Sequence, residues 1–135
     1  MTVKITKDAI DIGIITKNVG PMLKFYRDTL GLTQDGEMDL GGGGRITPLK
    51  CGSTIIKLVA PGKAPPAEAP SGGVMGATGY RYWTITVSNI EEATNECAKA
   101  GFSIPVPVNE FQPGVRMSMI EDPDGNWIEL VQRDG

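Results

Sequence analysis

The stretch AIDIGIITKNVGPMLKFYRDTLGL, residues 9–32, holds a strand and a helix with a carboxylate at its head. Within IDIGIIT, residues 10–16, Ile12 and Ile14 share one face of an extended chain, and Asp11, Gly13 and Ile15 share the other. Asn18 is placed to cap a helix and Pro21 is tolerated in a first turn. Met22, Leu23, Phe25, Tyr26 and Leu30 recur at helical spacing, and Gly31 stops the run. Strand followed by amphipathic helix is thus the first unit of pattern.

The pattern then recurs. YRYWTITV, residues 80–87, reads as a strand, and SNIEEATNECAKAG follows as a helix. Ser88 and Glu91 are spaced as a capping box, Ile90, Ala93, Cys97 and Ala100 form an apolar stripe, and Gly101 is the stop. Each half closes with two strand-like runs, RITPLKCGSTIIKLVA from Arg45 and GVRMSMIEDPDGNWIELVQ from Gly114, the second bent at the turn-forming DPDGN. Asp11 precedes Lys57 by 46 positions and Tyr82 precedes Glu129 by 47, which makes the chain a tandem repeat. Residues 60–79, rich in Pro, Gly and Ala, read as a linker and a lip for a pocket. TQDGEMDLGGGG, residues 33–44, reads as a flexible loop, since no Lys-Ser/Thr follows it to hold a phosphate.

Composition narrows the chemistry. With 135 residues and 40% hydrophobic content, one compact domain is expected, and a net charge of −3 without a basic run argues against nucleic acid. No segment is apolar for long enough to be a signal peptide or a membrane span, so a cytoplasmic protein is expected. Cys51 and Cys97 are far apart and outside metal or redox spacing, and read as buried free thiols. The chain has no histidine, which removes imidazole acid–base chemistry, Ser-His and Cys-His triads and most zinc sites.

From residue 9 to EDPDGNWIELVQ the sequence resembles the vicinal oxygen chelate superfamily, also called the glyoxalase, bleomycin-resistance and extradiol-dioxygenase superfamily. The resemblance rests on the opening strand and helix, on the DPDGN turn with its Glu-bearing strand, and on the repeat around them. It implies an α+β fold of two tandem βαβββ modules, forming an open, cup-like mixed sheet with helices on the outer face. A single domain over 1–135 is expected, with module 1 at about 8–60, a linker at about 61–79 and module 2 at about 80–133. Homodimers are common in the family. Its metal enzymes take ligands, typically His or Glu, from the first and last strand of each module, and those four places fall here on Asp11, Lys57, Tyr82 and Glu129. Only Glu129 keeps a usual ligand.

Strand alternation separately sets this quartet opposite the helix-packing residues Ile12, Ile14, Ile56, Leu58, Trp83, Ile85, Ile128 and Leu130. An ammonium among the donors competes with a cation, so no cofactor is expected, although Asp11 and Glu129 leave a divalent metal as an alternative. The enzymatic reading is metal-independent proton transfer in a lyase, isomerase or epimerase acting on an oxygenated small molecule. Glu129 or Asp11 is then the base, Lys57 stabilises an oxyanion and Tyr82 donates a hydrogen bond or a proton. A second reading is a ligand-sequestering protein of the antibiotic-resistance type, with walls from Tyr80, Tyr82, Trp127, Met38, Phe111 and Met117 or Met119. A third is an inert ion pair, Asp11 with Lys57 or Lys57 with Glu129, filling a lost metal site. Arg45 and Arg116, at matching places in the two halves, are candidates for holding a substrate carboxylate.

Overall fold

The computed structural model describes residues 2–134, which divide into two compact units, one up to residue 66 and the other from residue 67. In the first, strand β1 (Ile12–Ile15) leads to helix α1 (Val19–Leu23), whose axis continues as a π-helical segment over Lys24–Thr29. Strands β2 (Thr33–Gln34), β3 (Met38–Gly41), β4 (Gly44–Cys51) and β5 (Thr54–Ala60) follow. The sheet order is β1-β5-β4-β2, with β3 also on β4, and only the β1–β5 pair is parallel. The second unit repeats the plan with β6 (Tyr82–Thr86), α2 (Ile90–Lys99), β7 (Val106–Gln112), β8 (Val115–Glu121) and β9 (Trp127–Arg133), in the order β6-β9-β8-β7. Again the first and last strands are the parallel pair. Each unit is therefore a βαβββ module, and the repeat read from sequence is present in the topology.

Alternation explains each core. Leu49, Ile56 and Leu58 point to one face of the first sheet and are fully buried along with Met22, Phe25 and Tyr26 of the helical segment, the two rings meeting edge to face at 4.7 Å. In the second unit Ile120, Ile128 and Leu130 occupy the corresponding face and α2 lies against β7, β8 and β9 with Ile90, Thr94 and Cys97 buried. Each such fully buried aliphatic side chain contributes roughly 1.5–3 kcal/mol. Thr94 and Ser118 carry hydroxyls into this core and hydrogen-bond each other at 2.9 Å, so neither is left unsatisfied. Burial pushes both thiols up in pKa, that of Cys97 to about 11, and holds them protonated.

Three expectations about local structure are corrected. Residues 33–44 are not merely a flexible loop: β2 and β3 are two pieces of one edge strand pairing with opposite ends of β4, and Gly41, Gly42 and Gly43 turn the chain back with positive φ. The capping box at Ser88 and Glu91 does not form. Asn89 is the cap residue, and the first free amide, Ile90 N–H, donates to Gln132 Oε1 at 2.8 Å, so a neighbouring strand does the capping. The apolar stripe of α2 includes Thr94, while Ala100 is exposed at the C-cap. Gly101 then takes φ 93°, with the Gly101 amide donating to Ala98 O and the Phe102 amide to Cys97 O, a Schellman ending.

The DPDGN turn is built as the sequence implies. Asp122, only 3% exposed, accepts from the amides of Asp124 and Asn126 through Oδ1 and from the Asn126 side chain through Oδ2, each at 2.9 Å. This fixes where β9 begins, and hence the register that places Glu129. Among the described residues no helix is long and apolar enough to cross a membrane.

Candidate functional site

Each sheet has a second face, opposite its helix, and the residues there follow from strand register. In the first unit Lys57 on β5 is flanked by Gly13 on β1 and Pro48 on β4. Ile15, Ile46 and Val59 share that face, and Met38 joins it across from Ile46. Ile15 and Met38 remain 54% and 50% exposed, so apolar surface is left open there. Lys57 is half-buried, and among the described residues it makes no ion pair within 4.0 Å.

Asp11 lies one residue ahead of β1, on the same side as Gly13 and Lys57 but displaced along the chain, because Gly13 is the residue paired with Lys57. Asp11 Oδ1 accepts from Lys7 Nζ at 2.7 Å and from the Ile55 amide at 2.9 Å. In place of the Asp11–Lys57 pair of the inert reading, Asp11 pairs with Lys7. The Lys7 hydrogen bond, then that from Ile55, hold the Asp11 carboxyl below its ordinary 3.8, while Lys57 adds a smaller through-space attraction. A carboxyl with a lowered folded-state pKa stabilises above its unfolded value and loses that contribution as pH falls through the folded one. Asp11→Asn is therefore expected to melt below the wild type at pH 6, with the gap closing once the pH drops under 3.8 in a thermal-melt series.

In the second unit Glu129 on β9 is flanked by Thr84 on β6 and Met119 on β8. The Thr84 hydroxyl donates to Glu129 Oε1 at 2.6 Å, a short charge-assisted bond that orients the carboxylate. Among the described residues no second hydrogen bond to Glu129 is made by its other oxygen. Tyr82, 49% exposed, lies beside Trp127 on the same face, with Met117 two residues from Met119. Trp127 Nε1 donates to Glu121 Oε2 at 3.0 Å, and Asn109 reaches the Met117 sulfur at 3.3 Å.

The segment between the modules is shaped by this unit. Arg81 Nε donates to Gly73 O at 2.7 Å, and its Nη2 donates to Pro70 O at 2.8 Å and to Ser71 O at 3.3 Å. Gly73 is buried in a 3₁₀ turn (Gly73–Met75) so close to the indole that a Cβ there would meet Trp127 Cδ2 at 2.0 Å. Trp127 is thus held at its N–H by Glu121 and at its ring by glycine backbone that Arg81 ties down.

Register corrects the two arginines. Arg45 is three residues from Pro48 and Arg116 three from Met119, so each points to the helix side of its sheet, away from Lys57 and Glu129. Arg45 pairs with Glu37 at 3.0 Å and Arg116 with Glu91 of α2 at 3.5 Å. Tyr80 is fully exposed in the chain before β6, and Phe111, 50% exposed, sits at an irregularity of β7. The sequence reading passed over Thr84, Gly13, Arg81 and Gly73 as site residues. The first two were signalled by lying two positions along the same strand face as Tyr82 and Asp11.

A metal of the kind held by the family's metal enzymes needs several anionic or imidazole donors together. Among the described residues no group of three or more His, Cys, Asp or Glu comes together to supply them. A lysine and a tyrosine stand in two of the four places, and Asp11 is committed to Lys7, so the donor set does not fit a metal.

The family model of the Glyoxalase/Bleomycin resistance protein/Dioxygenase superfamily matches residues 9–130. Among solved structures, a glyoxalase family protein from Bacillus cereus is 20% identical with a TM-score of 0.84, covering 100% of both chains. The trypanothione-dependent glyoxalase I of Leishmania major is 21% identical with a TM-score of 0.72, covering 94% of this chain and 87% of that one. A glyoxalase I mutant from Zea mays is 17% identical with a TM-score of 0.79, covering 96% of this chain and 46% of that one. No curated protein matches the sequence. These likenesses speak to the fold, and the family match, spanning both modules with the two parallel first-to-last strand pairs, shows that the chain belongs to the glyoxalase/bleomycin resistance protein/dioxygenase superfamily.

Proposed function

We propose that this chain is a cytoplasmic small-molecule enzyme, a lyase or an isomerase/epimerase, that transfers a proton on an oxygenated substrate without a metal. The observation that supports the reading is Glu129, a half-buried carboxylate aimed by the Thr84 hydroxyl and bordered by apolar Trp127 and Met119. Such a group is built to accept a proton from carbon next to a carbonyl: the C–H bonding pair moves toward the carbonyl oxygen, leaving an enolate. The Tyr82 phenol, on the face of the same module that carries Glu129, donates a hydrogen bond to the oxyanion or returns the proton. Asp11, already paired with Lys7, keeps a positioning role at the start of β1.

The test is solvent exchange. In D₂O, nuclear magnetic resonance on a panel of 2-hydroxy ketones and 2-oxo acids should show protein-dependent deuterium uptake at the carbon beside the carbonyl. Saturable binding without exchange across the panel would instead favour sequestration, a reading to which half-exposed Tyr82 beside Trp127 lends support. Native mass spectrometry of the untreated protein checks the remaining expectations: a homodimer free of metal. A stoichiometric transition metal in that spectrum overturns the metal-free mechanism.

A further inference from the structure

Among the described residues the Lys57 ammonium makes no ion pair within 4.0 Å, and its attraction to Asp11 is only through space. Its neighbours across the sheet are Gly13 and Pro48, and along the same face come Ile15, Ile46, Val59 and Met38. None of these side chains is an anion, and none but the weak Met38 thioether can accept a hydrogen bond from an ammonium. Asp11, the near carboxylate, spends Oδ1 on Lys7 and the Ile55 amide. A half-buried cation amid aliphatic groups is costly unless an anion meets it.

Gly13 adds an independent observation. It sits inside a strand, where glycine weakens the sheet, and its φ is not positive, so no backbone strain calls for it. A Cβ built there meets nothing within 4 Å. The fold does not need the missing side chain, and its absence leaves open the space beside Lys57. Glycine within a strand often marks a close approach by a ligand.

We propose that the Gly13–Lys57 face of the first module binds a small aliphatic carboxylate, the carboxylate on the Lys57 ammonium and the hydrocarbon on Ile15, Met38, Ile46 and Val59. The site lies wholly within the first module and rests on the proposed function only in taking this face to be a ligand face. Charge sets the head group and the open apolar surface sets the tail. The carboxylate accepts charge-assisted hydrogen bonds from Lys57 Nζ, and the chain covers surface otherwise left in water.

Hexanoate and hexanamide, equal in chain length and different in charge, are the probes. Titrated into the ¹⁵N-labelled protein, hexanoate should shift the amides of Gly13, Ile15, Lys57 and Val59 saturably, and hexanamide should bind about tenfold more weakly or worse. Gly13→Val should keep or raise the melting temperature, because the space is free and valine favours strands, yet lose hexanoate binding. Lys57→Met should remove the preference for hexanoate over hexanamide. Equal binding of the two probes by wild type, undiminished hexanoate binding by Gly13→Val, or shifts confined to other residues would each overturn the site. Because binding is measured at equilibrium, it stands if Glu129 proves not to transfer protons, and its failure leaves the exchange result untouched.

Discussion

Glu129→Gln is expected to reduce deuterium exchange by about 10²-fold or more, the range a positioned acid–base group contributes, while leaving ligand affinity and folding nearly unchanged. Glutamine is the informative replacement because its amide oxygen still accepts from Thr84, so the side chain keeps its place and loses only its capacity to take a proton. Thr84→Val removes the 2.6 Å bond and frees the carboxylate to rotate; a smaller loss of rate is expected there, and Thr84→Ser should restore most of it. If Glu129→Gln exchanges as fast as wild type, Glu129 is not the base. If it lowers the melting temperature by as much as it lowers exchange, the residue holds the sheet and does no chemistry.

The parts of this arrangement that could be read from sequence were those governed by a single periodicity. Alternation along IDIGIIT, STIIKLVA, YWTIT and NWIELV was enough to set Lys57 and Glu129 opposite the helix faces, because each strand buries one side against its own helix. Pairing of strands was harder. Repeat spacing relates Asp11 to Lys57 and Tyr82 to Glu129 without saying which residues are paired, and the strand partners of Lys57 and Glu129 are Gly13 and Thr84, two residues further on along the same face. The arginines illustrate the same gap. Matching places in two repeats do not fix parity, whereas the tight turn at Gly52–Ser53, which sets Cys51 opposite Thr54, fixes the register that turns Arg45 away. β2 and β3 left no signal because all of β3 is exposed and an edge strand without a buried face has no reason to alternate. Capping of α2 by Gln132 lies outside any local pattern, since the acceptor is 42 residues away.

Gly73→Ala is expected to be among the most disruptive single changes in the second module. Its Cβ would fall 2.0 Å from one indole carbon of Trp127 and 2.3 Å from another, far inside contact distance, and φ of 54° already disfavours any residue with a Cβ. The indole has little freedom to yield, because Glu121 holds its N–H and β9 fixes its backbone. The chain around Gly73 must move instead, and its carbonyl then withdraws from Arg81, which also loses alignment with Pro70 and Ser71. Overpacking together with the left-handed backbone cost predicts a destabilisation of about 2–4 kcal/mol. A denaturant melt measures that loss, and a red shift of the tryptophan emission reports the ring becoming wetter. Arg81→Gln separates the two causes: it removes the tether without the clash, so it should reproduce the emission shift at a smaller cost in stability. Were Gly73→Ala as stable as wild type, the glycine–indole contact would not be what keeps residues 70–76 in place beside the ring.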